Sequence, residues 1–444
     1  MAKTTSNKKI HLIAVDMGYG HLRAAYPLAR LANQGKIINA NSYAGIPSSD
    51  RKIWLESRKT YEFFSRFKNF PMVGGIAWDI FDKLQEIKPF YPKRDESAPT
   101  LQVRATYALS KRKKWGTHVI ATLGKKPRLR QGSGGQALPI VSTFFIPAFL
   151  AEIWQYPGDI YCVATDTDVS RAWAPLCPRQ SRIKYFAPTE RVKERLICYG
   201  VKEENIFLTG FPLPDELIGG AKNKKIKKNL GARLFNLDPK KIYANQFRET
   251  IAHHLGANNF PRKKHHPLTL MFAVGGAGAQ RELGIEIVKG LQTKIRKNKI
   301  RIILVAGIHN RVNRYFRKEI AKLGLSAFLK RNIGIIVNPN KTEYFKKFNR
   351  ALATTDILWT KPSELSFYAS LGLPIVMSEP IGSQEKFNRR WIASIGAGID
   401  QENPAFAGEW LFDWLNSGWF AEAAMNGFLN YSTDGVENIK KIIN

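Results

Sequence analysis

Cysteine is scarce in this chain, acidic residues are far outnumbered by basic ones, and long apolar runs are missing. Three cysteines (Cys162, Cys177 and Cys198) in 444 residues exclude a disulfide scaffold, and their spacing fits no zinc pattern. Residues 1–9 are polar and basic with no apolar run behind them, so no secretory signal is read there and a reducing, cytoplasmic setting is expected. The longest uncharged stretch, 131–151, is broken by Pro139 and Pro147, which argues against a membrane span. Part of it, TFFIPAFLAEIW (143–154), reads either as core or as an apolar patch facing a membrane. No low-complexity tract or short repeat is found. With 44% hydrophobic residues, 10 Trp and 26 Phe, the chain is neither disordered nor collagen-like. Its length suits two domains with a sizeable core in each.

The shortage of acid is local. There are 69 Lys+Arg against 36 Asp+Glu, a net charge of +33. Residues 101–150 hold nine basic and no acidic residues, and 251–350 hold 21 and four. Residues 351–444 reverse the sign, with six and 11. Such asymmetry points to an anionic partner, either a phosphate-rich small molecule, nucleic acid or an acidic lipid surface.

Strand and helix patterns alternate. KKIHLIAV (8–15) reads as a strand, DMGYGH (16–21) as a turn, and 21–35 as a helix stopping at Gly35. Further strands are expected at 117–123, 138–144, 159–165 and 183–188, with helices near 51–68, 99–114, 145–155 and 189–199. The segment 125–136 reads as a basic, glycine-rich loop. Between 214 and 267 the periodicity fades into a basic, turn-rich stretch, taken as a junction. The βα theme then resumes with strands at 268–274, 301–307, 334–339, 356–360 and 373–378 and a helix over 281–293. The expected architecture is α/β with two Rossmann-like, doubly wound parallel-sheet domains, 1–213 and 268–444, facing a central cleft where ligands bind.

Three clusters follow strand candidates. In the first, Gly18 and Gly20 permit a tight turn, the next helix offers N–H groups to an anion, and His21 is placed to act as a general base. The second, Gly275-Gly276-Ala277-Gly278, lacks the Lys-Ser/Thr of a P-loop but can present amides to a diphosphate. In the third, Lys361 is suited to neutralise phosphate, with Ser363 and Glu364 beside it, and Gln384, Glu385 and Asn388 to bond sugar hydroxyls. Gln384 and Asn388 share a face if 384 onward is helical. Each cluster also has a plain reading as capping or packing.

The succession DMGYGHLRAA, VATDTDVSRAWAP, APTERVKERLICYGVKEENIFLTGFPL, FAVGGAGAQ, TKPSELSF and GLPIVMSEPIGSQEKFN resembles the GT-B glycosyltransferases that modify lipids. The nearest types are monogalactosyldiacylglycerol synthase and the diacylglycerol glucosyltransferases; the peptidoglycan enzyme MurG is more distant. The resemblance implies a nucleotide-sugar donor, usually a UDP-sugar, bound mainly by the C-terminal domain. It also implies a lipid acceptor against the N-terminal domain, inversion at the anomeric carbon and no obligatory metal or cofactor. By it, His21 is the base, Asp166 belongs to the Thr-Asp pair near the acceptor, Gly275 and Gly276 approach the diphosphate, and Gln384, Glu385 and Asn388 reach the donor sugar. The chain departs from the pattern after Thr360-Lys361: the loop is two residues shorter, and Phe367 stands where the family places a ribose-binding glutamate. Gly382-Ser383 also replaces the usual lead into Gln-Glu. Asp166 and Asp168 spell D-x-D, a metal-binding pair in the other glycosyltransferase fold, but the two-domain layout argues for a structural Asp168.

The basic surface would hold such an enzyme on an anionic inner-membrane face as a peripheral protein. Two alternatives stay open. One is a GT-B enzyme acting on nucleic acid or another anionic polymer, for which Trp115 in KRKKWG is the compact aromatic-among-charges example. The other is a non-catalytic GT-B-like binding protein with an altered donor loop.

Overall fold

The computed structural model describes residues 8–67, 87–124, 137–220, 222–261, 263, 265–273, 280–380 and 383–444, the side chains of 60–67 and of 383 excepted. The chain packs as two compact units. One comprises residues 1–213, 381–388 and 434–444; the other comprises 214–380 and 389–433.

In the first unit the elements run β1 (Ile10–Ala14), α1 (Tyr19–Leu28), β2 (Ala32–Asn39), α2 (Ser48–Phe67), α3 (Leu101–Lys113), α4 (Thr117–Gly124), β3 (Ile140–Ser142), α5 (Phe145–Ile153), β4 (Ile160–Val163), β5 (Lys184–Ala187), α6 (Glu190–Cys198) and β6 (Ile206–Leu208). The six strands are all parallel, in the order β2-β1-β3-β4-β5-β6. Strands β1, β3 and β4 are almost wholly buried, because a parallel sheet is covered on both faces and its central strands become continuous apolar runs.

The sequence-based reading needs correcting at three places in this unit. The expected helix over 21–35 ends at Leu28, and Ala32–Asn39 is the edge strand β2. Gln34 and Gly35, both at positive φ, bulge that strand, so that Ile10 pairs with Ala32 while Leu12 pairs with Ile37. A bulge glycine had the look of a helix stop. THVIATL forms helix α4, with Val119 and Ile120 buried and the Thr122 hydroxyl donating to the His118 carbonyl (2.7 Å). A short apolar run does not itself distinguish strand from buried helix. The three-residue edge strand β6 was too short for any periodicity to reveal. In the ambiguous 143–154 stretch, Ala148, Phe149, Leu150 and Ala151 are core, while Phe144 and Ile146 line a cavity. The segment 125–136 lies outside the described residues.

The second unit holds α7 (Asp215–Ile218), α8 (Lys224–Leu237), α9 (Ile242–Gln246), α10 (Arg248–Leu255), β7 (Thr269–Ala273), α11 (Arg281–Gly290), α12 (Gln292–Arg296), β8 (Arg301–Gly307), α13 (Asn310–Lys322), β9 (Ile333–Val337), α14 (Lys341–Leu352), β10 (Ile357–Thr360), α15 (Leu365–Ser370), β11 (Ile375–Met377), α16 (Ser383–Ser394, its first turns counted with the first unit), β12 (Gly398–Asp400), α17 (Ala407–Asn416) and α18 (Trp419–Leu429). The sheet is again parallel, in the order β12-β11-β10-β7-β8-β9. Its edge strand β12 is another three-residue element without a readable pattern. A last helix, α19 (Gly435–Ile443), belongs to the first unit and buries Val436, Ile439 and Ile443 in a cluster with Ile10, Leu12, Leu28 and Val141. Two doubly wound Rossmann-like units make this an α/β protein of GT-B type.

The described residues of 214–267, expected as a basic junction with weak periodicity, carry four α-helices. Leu230, Leu234, Leu237, Tyr243, Ile251 and Leu255 enter the second unit's core, a pattern that the intervening lysines obscure. Arg233 of α8 is buried among apolar neighbours and donates to four carbonyls, of Leu352, Thr355, Leu371 and Gly372, at 2.7–3.3 Å. Burial pulls its pKa down to about 10, with Asp356 acting in the opposite direction. Those carbonyls flank β10 and precede β11, so this one guanidinium staples the junction helices to the strands of the third polar cluster. Replacing Arg233 by Met removes one hydrogen bond from each of the four buried carbonyls, and the expected loss is about 3 kcal/mol of stability. Urea unfolding checks this, and a loss under about 1 kcal/mol contradicts the staple role.

Candidate functional site

The winding of the first sheet changes direction at β1, with β2 on one side and β3 on the other. A doubly wound sheet opens a crevice beyond the carboxyl ends of its strands at such a point. Asp16 and Met17 follow β1 there, Thr143 and Phe144 follow β3, and Thr165 and Asp166 follow β4. Gly18 caps α1 in open space, Gly20 lies in its first turn, and His21 follows.

His21 Nδ1 is 2.9 Å from the Thr143 carbonyl oxygen and 3.3 Å from Thr165 Oγ1. A carbonyl only accepts, so Nδ1 carries the hydrogen in the neutral ring and Nε2 becomes the proton-accepting nitrogen. The ring lies 4.6 Å from the Phe144 ring and 6.2 Å from that of Trp173 (centroid distances). Backbone and aromatic contacts thus fix both the tautomer and the orientation of this imidazole.

His21 lines a cavity of about 760 Å³ within the first unit, together with Asp166, Gln384, Phe144, Phe145 and Trp173. Residues of α2 and α3 complete its walls, bringing in Ile53, Leu109 and the cations Lys52, Arg112 and Lys113. Ser49, Glu56, Gln102 and Thr106 also line it, so the cavity combines apolar and aromatic walls with many polar groups. A smaller hollow, about 370 Å³, lies by Thr117, Trp154 and Tyr156 and contains none of the expected site residues.

Asp168 is spent structurally. Its carboxylate accepts from Arg195 Nε (3.0 Å) and Nη2 (2.9 Å) and from the Val169 N–H (2.9 Å), with both side chains at most 2% exposed. The D-x-D spelling is therefore not a two-carboxylate site. Among the described residues no group of three or more His, Cys, Asp and Glu side chains is arranged to hold a metal.

Helix α16 does begin at Ser383 and carries Gln384 and Asn388 one turn apart. Gln384 reaches the cavity, Glu385 is half-buried beside it, and Asn388 is buried. Asn388 Oδ1 accepts from the Thr167 hydroxyl (2.6 Å) and N–H (3.3 Å), and the Thr167 carbonyl accepts from the Thr189 hydroxyl (3.1 Å). Through this carbonyl group Asn388, which the resemblance assigns to the donor sugar, anchors α16 to the Thr165–Asp168 turn. Thr143, Thr165 and Thr167 escaped the sequence reading; their one signal was position, immediately after strand candidates.

The second sheet changes direction between β10 and β7. Register pairs Thr360 with Ala273 and with Met377, so the loops after β7, β10 and β11 leave the sheet side by side. Gly275, Gly276 and Gly278 lie outside the described residues, but both flanks of their loop are pinned. Thr360 Oγ1 donates to the Ala273 carbonyl (3.4 Å). Gln280, at φ 62°, accepts from the Ser378 hydroxyl (3.0 Å) and donates to the Glu379 carbonyl (3.2 Å). A Cβ on Gly284 would stand 2.8 Å from the Phe272 ring, so glycine lets α11 lie close on β7. Lys361, Ser363 and Glu364 form the tight turn after β10, closed by the Ser363 N–H donating to the Lys361 carbonyl (2.6 Å). Glu364 takes φ 56°, a conformation that costs a non-glycine residue roughly 1 kcal/mol, and accepts from the Tyr368 hydroxyl (3.3 Å). Phe367 is fully buried in the core.

Comparison with known proteins agrees with the motif resemblance. The processive diacylglycerol beta-glucosyltransferase of Staphylococcus carnosus is 21% identical over 398 residues, covering 89% of this chain and 81% of the relative. Its Staphylococcus saprophyticus counterpart is 22% identical over 411 residues, covering 91% and 83%. These matches support a GT-B glycosyltransferase resembling the diacylglycerol glucosyltransferases. Residues 256–332 match a family described as a domain of unknown function, DUF6938. Among solved structures, the S. aureus MnaA–UDP co-structure aligns with TM-score 0.48 and 14% identity over 97% of this chain and 95% of that one. Acinetobacter baumannii MurG aligns with TM-score 0.45 and 13% identity over 98% and 99%.

The buried ion pair yields a test. D168N leaves the Arg195 charge uncompensated and is expected to cost about 3–5 kcal/mol in stability, whereas the D168L/R195M double variant recovers most of that loss. Equal destabilisation of the single and double variants in denaturant melts would contradict the pairing.

Proposed function

We propose that this protein transfers a sugar from a nucleotide-sugar donor, a UDP-sugar by resemblance, to a hydroxyl group of a lipid acceptor. The observation that carries the reading is His21, held by the Thr143 carbonyl in its Nε2-basic tautomer against a cavity whose walls combine apolar and aromatic side chains with polar ones. The acceptor hydroxyl gives its proton to His21 Nε2 as its oxygen attacks the anomeric carbon. The bond from that carbon to the diphosphate oxygen breaks, the nucleoside diphosphate leaves with the electron pair, and configuration inverts in this single displacement. Asp166 and Gln384, lining the same cavity, orient the acceptor. On the donor side, Lys361 and the amides of the Gly275–Gly278 loop offset charge on the departing diphosphate, with Ser363 and Glu364 available to the ribose and Glu385 to the sugar.

No resident cofactor or metal enters this scheme. The protein works as a peripheral enzyme at the cytoplasmic face of a membrane; among the described residues no helix is long and apolar enough to cross one. Both diacylglycerol glucosyltransferase relatives support the choice of a lipid hydroxyl over a nucleic acid.

The scheme separates donor binding from base catalysis. His21→Ala is expected to lower kcat by about 10²–10⁴ while leaving the thermal stabilisation by UDP or UDP-sugars intact. Lys361→Met is expected to remove most of that stabilisation. A thermal response flat to every UDP-, GDP- and dTDP-sugar in the unaltered protein would refute donor binding and favour a binding protein without activity. Unchanged turnover in His21→Ala would refute the base.

A further inference from the structure

The reversal point of the second sheet carries a polar bridge that is not among the groups of the proposed reaction. Strand β10 lies between β7 and β11, so the loops after β7 and β11 leave the sheet about 10 Å apart, two strand spacings, with the exit of β10 between them. Gln280, which follows β7 and precedes α11, nevertheless reaches residues that follow β11. Its Oε1 accepts from the Ser378 hydroxyl (3.0 Å) and its Nε2 donates to the Glu379 carbonyl (3.2 Å). The bridge ties the β7 side of the switch-point crevice, where α11 begins, to the β10–β11 side.

The far end of the bridge is itself fixed. Ser378 is buried, and its N–H donates to the Thr360 carbonyl (3.0 Å), while Thr360 Oγ1 donates to the Ala273 carbonyl (3.4 Å). Hydrogen bonds therefore link the ends of β7, β10 and β11 in succession. The body of α11 is held separately: Ile287 and Val288 are buried, and Gly284 lets the helix lie against the Phe272 ring. What Gln280 adds is confined to the start of the helix. Two plain roles do not account for it. Its side chain caps none of the amides of α11. Nor does the backbone favour glutamine, since φ is 62°, a conformation that glycine takes at lower cost. Fold stability alone would favour glycine there, whereas glutamine supplies an amide that both accepts and donates across the crevice.

We propose that Gln280 is a positioning residue for the nucleotide-sugar donor: by tying the start of α11 to Ser378 and Glu379, it sets the width of the crevice that receives the diphosphate. This rests on the donor side of the proposed function and adds to it a residue that acts through the backbone it holds. A crevice set before the ligand arrives loses less binding free energy to ordering, so removal of the bridge weakens nucleotide binding. The acceptor side, at His21 in the other unit, is left as it was.

The experiment measures UDP affinity by calorimetry, and the urea midpoint, on the full chain for Q280G, S378A and the double variant. Q280G relieves the backbone and removes the bridge; it is expected to weaken UDP binding about tenfold while the urea midpoint is unchanged or raised. S378A makes the same test without a change of backbone freedom and is expected to weaken UDP binding about threefold. The double variant is expected to bind as Q280G does, because both changes remove the same bond. In turnover, the donor KM of Q280G rises while its acceptor KM stays within about twofold of the unaltered protein's. A loss of affinity that falls in step with the urea midpoint marks a merely structural bridge and overturns the inference, and so do additive losses in the double variant. UDP binding by the unaltered protein that both single variants leave intact overturns this inference alone. Absence of UDP binding by the unaltered protein overturns the donor reading together with it.

Discussion

A parallel sheet built by right-handed crossovers must reverse its winding somewhere, and the rest of this molecule's chemistry hangs on where it does so. In the first sheet the reversal lies at β1, and the carboxyl ends of β1, β3 and β4 come together beneath α1. The hydrogen bond from His21 Nδ1 to the Thr143 carbonyl spans that point and assigns the imidazole its basic nitrogen. In the second sheet the reversal lies between β10 and β7, which sets the start of the Thr360–Glu364 turn beside Ala273 at the end of β7. Central strands buried on both faces make these positions rigid, so the loops inherit well-defined anchors.

Buried polar groups then hold the loops. Asp168 and Arg195 brace the turn after β4, Asn388 and Thr167 bind α16 to it, and Arg233 gathers four carbonyls around β10. Each is costly to bury and is hydrogen-bonded where it lies, which suits positional precision better than raw stability. The charge asymmetry follows the same division. Cations of the first unit, Lys52, Arg112 and Lys113, stand at the cavity wall, and the net-acidic final stretch carries the Lys361 and Gln384 clusters.

The legible parts were those written in local pattern. The strand of residues 8–15, the turn at Gly18–Gly20 and the position of His21 followed from an apolar run meeting glycines, and the succession of six motifs pointed to the fold. What stayed hidden was set by contacts distant in sequence. The bulge at Gln34–Gly35 makes sense only against β1. Helix α8 hides a core face among lysines because Arg233 and its leucines find partners more than a hundred residues away. Asn388 lies on the expected helix, but its bond to Thr167 was not legible, since a motif indicates chemistry and not which buried hydroxyl a carbonyl will meet.

The central claim is that a base at the first sheet's reversal point drives sugar transfer to a lipid hydroxyl. Its most direct measurement is product analysis after incubating the protein with a panel of UDP-hexoses and diacylglycerol in phosphatidylglycerol-containing vesicles. The account predicts a glycolipid whose anomeric proton coupling reports inversion, formed in equal amount to released UDP. UDP-sugar consumption that yields no glycosylated lipid, or a glycolipid with retained configuration, would contradict it.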